Sequence, residues 1–512
     1  MKPWDVCFGI ETEYGIAVDE EPDADVVEES IQLVRAARDY GLPHLWDYGL
    51  EDPHVDARGF RAAELLQDTD EANFFSRDAQ REYSFQEIKS DLVLRNGARF
   101  YNDHAHPEYS TPECGTVREL VAQDKAGERI LAACAKAVGA ATKRTVRLYK
   151  NNTDYLGHSY GCHDNYLVAR AVPWDDLVAA MTPFLVTRQI YAGAGKVGWE
   201  CEDSVLTAGA GFQIAQRSDF FTELVSIDTM NRRPIINTRD EPHAEAARYR
   251  RFHVIIGDAN LCEFATWLKI GATALVLEAL QHPGATAFWE DWELDDPLLA
   301  LREISRDQSH GWAVELAGRR RSDAVELQLA YADAVGQILG DGLAAHEEKA
   351  AVLAAWRETL EQLRRDPLAL HDRLDWVAKL NLLEQFRATE NLPWSDPWLQ
   401  SLDLQYHLVD REDGLYDGLV EAGAVRREVD EEEIRTAVSQ PPASSRAYLR
   451  GKCIQRFAAA IKTAQWDHIV FQHKRRTYRL DLNQAFPGRE FERLRDALDQ
   501  APDLDAFLRA IV

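Results

Sequence analysis

The run NGARFYNDHAHPEYSTPE, residues 96–113, gathers Arg99, Tyr101, Asp103, His104, His106, Glu108 and Glu113 among few apolar neighbours. If RFYND is a strand, Arg99, Tyr101 and Asp103 share one face, because strand side chains alternate with period two. FGIETEYGIA (8–17) also reads as a strand, with Glu11 and Glu13 on one face and Ile10, Thr12 and Tyr14 on the other. Carboxylates facing one another across a sheet repel unless a cation lies between them, and oxygen ligands of this kind suit Mg²⁺. Spacing alone leaves two readings open: a cation site, or a strand face of solvated charges with Tyr101 as a packing residue.

Two further polar knots follow. KNNTDYLGHSYGCHDNYL (150–167) holds Asn151, Asn152, His163, Asp164 and Asn165 around Gly157 and Gly161. A lone histidine there is either a structural residue or a ligand, and it is an unusual one for Mg²⁺. INTRDEPHAEAARYRR (236–251) holds Arg239, Asp240, Glu241 and His243. Arg239 either grips a phosphate with its two-pronged guanidinium or pairs with Asp240 in a turn. AGAGKVG (192–198) imitates a phosphate loop and fails, since Ile190 and Val197 occupy the required Gly and Ser/Thr places.

The elements that must position these knots are legible in part. Residues 116–140 have helical periodicity, with Leu120, Ala126, Ile130 and Cys134 toward a core. RTVRLYKNN and FHVIIGD (252–258) read as strands, and 260–280 as a largely buried helix. From about 20 to 95 the chain is charged and irregular, which predicts a long, partly helical and mobile insertion around 45–95. Residues 295–390 read as mostly helical. The acidic-to-Pro/Ser break in REVDEEEIRTAVSQPPASS divides a large domain (1–430) from a small α/β domain (431–512) built of one helix and the strands HIVFQ and TYRLDL.

Composition bounds the function. The chain has 512 residues and a formal charge of −28, so nucleic acid and anionic membranes are not expected partners. The basic runs, Arg319–Arg321 and HKRR from His473, are short. No window approaches the ~20 apolar residues of a membrane span, and the N-terminus lacks an export signal. Seven scattered cysteines without a C-x-x-C pair fit reduced thiols and exclude a structural zinc framework, so a cytoplasmic protein is expected.

In order, GIETEYGI, NGARFYNDHAHPEYSTPE, KNN…GHSYGCHDNYL, QRSD, NTRDEPHAEAARYRRFHVIIGDAN and PPASSRAYLRGKCIQRF resemble the Pup ligase/depupylase family of the glutamine-synthetase-like carboxylate–amine ligase superfamily. The resemblance runs from about residue 8 to about 470. It implies an α+β fold: a large domain with a curved, mainly antiparallel sheet backed by helices, and a small C-terminal α/β domain closing over a nucleotide. Of the family's two branches, the ligase joins Pup's C-terminal Glu to lysines, and the other deamidates a C-terminal Gln and cleaves the isopeptide bond. Asp103 to Ser110 read DHAHPEYS, Gly257 to Asn260 read GDAN, and the 82 residues between Glu13 and Asn96 contain Trp46-Asp47-Tyr48 and DARGF (56–60). All three resemble the deamidase/depupylase branch, whereas GCH at 161–163 is closer to the ligase.

That resemblance implies Asp103 as the catalytic carboxylate, with Glu11, Tyr101, Glu108, His163 and His243 around Mg²⁺. It implies Arg99, Ser110, Thr111, Asn165 and Arg239 as contacts of ATP (or ADP plus phosphate), with Trp466 covering the nucleotide. Glu13 matches an acidic position of less definite role. Asp164 and Asn102 depart from the family's usual Glu and aliphatic residue. The implied partners are Pup, an acidic disordered peptide, and pupylated proteins, with Arg217, Arg446 and Arg450 as candidate groove arginines and a monomeric state. A ligase remains the rival activity, and a binding protein on a dead fold is expected to have lost Asp103 or Glu11.

Overall fold

A strand of alternating Ile/Thr and Glu can be satisfied only with one apolar face packed and one polar face left open, and the first strand is the middle of such a sheet. The computed structural model describes residues 2–65, 82–200, 211–229, 233–241, 243–282, 285, 289–484 and 488–511. Nine strands make the main sheet: β1 (Phe8–Glu13), β2 (Gly41–Pro43), β3 (Leu92–Leu94), β4 (Arg99–Asp103), β5 (His106–Ser110), β6 (Cys162–Ala169), β7 (Glu223–Ser226), β8 (Pro234–Asn237) and β9 (Tyr249–Val254). Their order is β7-β8-β9-β6-β1-β5-β4-β3-β2, antiparallel throughout except for the parallel β7/β8 pair. The mainly antiparallel α+β reading holds.

The packed face carries Phe8, Ile10, Cys162, Tyr166, Val168, Phe252 and Val254 into the largest core. Helix α3 (Val117–Thr142) and helix α4 (Glu263–Leu280) share it through Val117, Leu120, Leu268 and Leu275. Thr116 caps α3 by accepting from the Glu119 amide, and Leu120, Ala126, Ile130 and Cys134 are all buried as the periodicity requires.

The sequence reading is corrected in two places. The strand expected over 8–17 ends at Glu13, and Gly15–Val18 pairs instead with Val146–Tyr149 in a separate ribbon. The stretch from 20 to 95 is more regular than its charge suggested. Helix α1 (Val26–Ala36) buries Val27, Ile31, Leu33 and Val34 completely, and β2 and β3 complete the sheet edge. Helix α2 (Phe85–Lys89) precedes β3. The part of the expected insertion at 66–81 lies outside the described residues.

Near the C-terminus, helix α5 (Ala447–Phe457) and the three-stranded sheet β10 (Ile461–Ala464), β11 (His468–His473) and β12 (Arg476–Asp481) build a second core. Leu45, Trp46 and Val93 enter that core from the sheet side.

Candidate active site

Register brings the polar residues together on the open face. Glu11 of β1 stands opposite Ser110 of β5 and His163 of β6, and Glu13 stands opposite Glu108. Tyr101 faces Glu108, Asp103 faces His106, and His253 of β9 faces Asn165 of β6. Two groups with cation-binding spacing result: Glu11, His163 and His253, and beside them Glu13, Asp103 and Glu108, each with ligand atoms within 4.8 Å of one another. Gly161 leaves room for these side chains, because a Cβ on it would lie 2.5 Å from His163 Nε2 and 2.7 Å from Glu13 Oε1 and would displace them.

In the first group, His163 Nδ1 and His253 Nε2 each lie 3.4 Å from Glu11 Oε2, and an Arg251 nitrogen lies 3.5 Å from Oε1. Burial alone would raise the Glu11 carboxyl, but the two imidazoles and Arg251 hold it well below the usual carboxylate range. Burial, helped by the Arg251 charge, pushes His253 down to about 3, so it is a neutral imidazole. Neither of its buried ring nitrogens makes a hydrogen bond.

The second group splits its carboxylates. Burial, then the charges of Asp103, Glu11 and Glu13, pushes Glu108 well above the ordinary range. Glu108 Oε1 accepts from Tyr101 Oη at 2.6 Å and from Ser110 Oγ at 3.2 Å. Asp103 goes the other way: burial opposes its charge, but Lys89, in contact with Oδ1, and His104 hold it well below. Carboxylates driven apart in this way are the arrangement from which acid–base and nucleophilic roles are built.

A cavity opens beside Glu11 between β1, β5, β6 and the second core, lined by Gly9, Ser110, Thr111, Asn165, His243, Arg251, Arg446 and Trp466 among others. Gly9 leaves its floor bare, and a Cβ there would come within 3.3 Å of Thr111 Oγ1. His243 is not in the Glu11–His163–His253 group: it lines the cavity together with Glu11, and burial beside Arg251 and Arg446 pushes it down to about 3. His253 occupies the place beside Glu11 and His163. The missed signal was available, since period two puts Arg251 and His253 on one face of a strand read only as buried.

Other expectations are also redistributed. Arg99 does not line the cavity; its guanidinium is stacked between Trp46 and Tyr101 and ion-paired with Asp91 at 2.7 Å. Arg239 donates to the Ile227 carbonyl, and its backbone bridges to Asp56 of DARGF, whose carboxylate holds Arg58 and Thr238. Asp164 points into the core against Arg188 at 2.7 Å, away from the site. Asn102, also on the packed side, donates to the Ile88 carbonyl. Arg217 and Arg450 are fully buried and hold carbonyls of Ile255 and Gly97, while Arg446 and Arg450 both pair with Glu113. All three brace the fold, and of them Arg446 also reaches the cavity wall.

Fold and site together define a large antiparallel sheet whose open face carries a carboxylate–imidazole floor next to a small-molecule cavity. Comparison with known proteins gives this class its family. Residues 6–470 match the description "Pup-ligase protein". The depupylase of Acidothermus cellulolyticus is 44% identical over 97% of this chain and 93% of its own length. The Pup deamidase/depupylase of Mycobacterium tuberculosis is 43% identical over 91% and 90%. The Pup–protein ligase of Acidimicrobium ferrooxidans is 46% identical over 77% of this chain and 86% of its own. Among solved structures, the Pup ligase PafA in complex with ADP superposes with a TM-score of 0.70 at 32% identity, over 86% of this chain and 97% of that one. The complex of Pup with its ligase PafA gives 0.75 at 28% identity, over 96% and 91%. The chain belongs to the Pup-ligase family.

Proposed function

We propose that this protein is a deamidase and isopeptidase acting on Pup or a Pup-like modifier, with ATP (or ADP plus phosphate) and Mg²⁺ as cofactors. It converts the modifier's C-terminal Gln to Glu and releases the modifier from substrate lysines. The observation that carries this reading is Asp103, its carboxyl held well below the usual range at the end of β4 and grouped with Glu13 and Glu108 on the open face that also carries Glu11. The wider coverage of this chain by the depupylase relatives supports it over ligation.

The residues fit the cofactors. The buried His253 ring nitrogens, neither of which makes a hydrogen bond, stand with Glu11 and His163 in one cation-spaced group, and Glu13, Asp103 and Glu108 add hard oxygens suited to Mg²⁺. His253, Glu11, His163, Glu108 and Tyr101 would hold the metal, in place of the set that included His243. Ser110, Thr111, Asn165, His243 and Trp466 would line the nucleotide. When bound, the metal and the phosphates supply positive charge and polarity to the scissile carbonyl.

Asp103 supplies an anionic oxygen as base or nucleophile. The net reaction adds water: the carbonyl carbon gains an oxygen, and the nitrogen leaves as ammonia from Gln or as the lysine amine, taking the water's proton. Mass spectrometry of a Gln-ended Pup peptide and of a Pup–lysine conjugate, each with Mg-ATP, tests this beside Asp103→Asn. Conversion of both, lost in the variant, is the expected result. Conjugation of Glu-ended Pup to lysine with ADP release, and no cleavage, would instead establish the ligase, which the Acidimicrobium relative represents.

A further inference from the structure

Lys89 is the last residue of α2, and its ammonium group donates to Asp103 Oδ1. Its placement is built. Ser84 and Glu87 form a capping box at the start of α2, and Ser90 stops the helix in the left-handed region at φ 47°. Asn102 Nδ2 donates to the Ile88 carbonyl at 3.1 Å, tying the helix end to the strand that carries Asp103. The Lys89 ammonium passes 5.6 Å from the centre of the Tyr101 ring. Both side chains are only partly open, 15% exposed for Lys89 and 26% for Asp103.

A lysine side chain supplied by the protein itself thus fills the space against the Asp103 carboxylate. A modifier–lysine conjugate must bring a chemically identical butylamine chain to the same carboxylate as its leaving group. A C-terminal Gln brings only an amide nitrogen that departs as ammonia and needs none of that room. We propose that Lys89 is a specificity-determining residue that stands in for the substrate lysine on Asp103 and must be displaced by it. It thereby penalises isopeptide cleavage relative to Gln deamidation. This rests on the activity proposed above.

The test is kcat/KM for both substrates, measured on the same preparations of the unmodified protein, Lys89→Ala, Lys89→Met and Lys89→Arg. Using one preparation for both substrates cancels any loss of folded protein. Lys89→Ala is expected to raise the ratio of isopeptide cleavage to deamidation about fivefold, the scale of one partly exposed ion pair. Lys89→Met, which keeps most of the length and removes the charge, should raise it less, and Lys89→Arg should leave it near the starting value. An unchanged or lower ratio in Lys89→Ala overturns the proposal, including the case where both activities fall together, which would make Lys89 a merely structural support. Turnover of neither substrate by the unmodified protein removes the activity reading and this one with it. Turnover of both with a constant ratio removes this one alone.

Discussion

The guanidinium carbon of Arg99 lies 3.9 Å from the centre of the Trp46 ring, so a residue of the long segment after β2 stacks directly on a residue of the strand that ends in Asp103. Asp91 and the Tyr48 hydroxyl complete the cage, and Trp46 also meets Trp466 edge-on at 5.4 Å. A single indole thus joins the strand face, the segment and the cavity wall. Trp46→Ala is expected to cost about 3 kcal/mol or more of stability in urea denaturation, as for other buried Trp truncations, and to slow deamidation beyond what the folded fraction explains. Trp46→Phe should recover most of both. Wild-type turnover in a destabilised Trp46→Ala protein would show that the stack serves the fold alone.

The exchange of His243 for His253 separates two measurements. His253→Ala should weaken binding of Mg²⁺ or Mn²⁺ by at least about tenfold in calorimetry, while ADP binding without metal changes little. His243→Ala should do the reverse. Metal at about a hundred times its dissociation constant should raise stability by about 2.7 kcal/mol, an increment that chelation removes and that tenfold weaker binding in His253→Ala would cut to about 1.4 kcal/mol.

Glu113 makes an acid-sensitive brace. Burial opposes its charge, but Arg450 and Arg446 bring it from 4.5 in a free chain down to about 2. A lowered native value means that its stabilisation is complete above about 4.5 and is lost as pH falls toward 2, a contribution of up to about 3 kcal/mol. Glu113→Gln should therefore be less stable at pH 7 and show a shallower decline between pH 5 and 3 in thermal melts. Parallel pH curves for the two proteins would contradict the pairing.

Trp466 borders the cavity, with the Arg450 guanidinium carbon 4.7 Å from its ring centre. Replacing it with Ala should raise the KM for ATP about fivefold, the scale of one aromatic contact, with kcat reduced less. An unchanged KM would remove Trp466 from the nucleotide wall.

Much of the sheet could be read from the residues, because strand alternation is a local property. Glu11 and Glu13 lie on the open face and Ile10 and Thr12 in the core, as period two demands. Helix α3 was equally clear, since its apolar spacing and Thr116 cap are adjacent in sequence. The segment 20–95 was misread where its charges hid short apolar runs: α1 and β3 are buried, although each has polar neighbours on both sides. Arg217, Arg446 and Arg450 were misread because an arginine's partners are invisible along the chain. Their carbonyls and Glu113 come from elements dozens to hundreds of residues away.

By itself, the sequence determined the family resemblance, the strand that ends in Asp103, and the residue types of a carboxylate–imidazole site. Only the tertiary structure decided membership in that site. It set His253 beside Glu11 and sent His243 to the cavity, because β9 pairs with β6 in a register that faces His253 with Asn165, two residues along β6 from the Glu11–His163 match and so on the same face. It also placed Lys89 on Asp103 through a helix end anchored by Asn102. Strand register and helix docking are set by long-range packing energies, and no local spacing rule encodes which side chain then arrives within reach of a given oxygen.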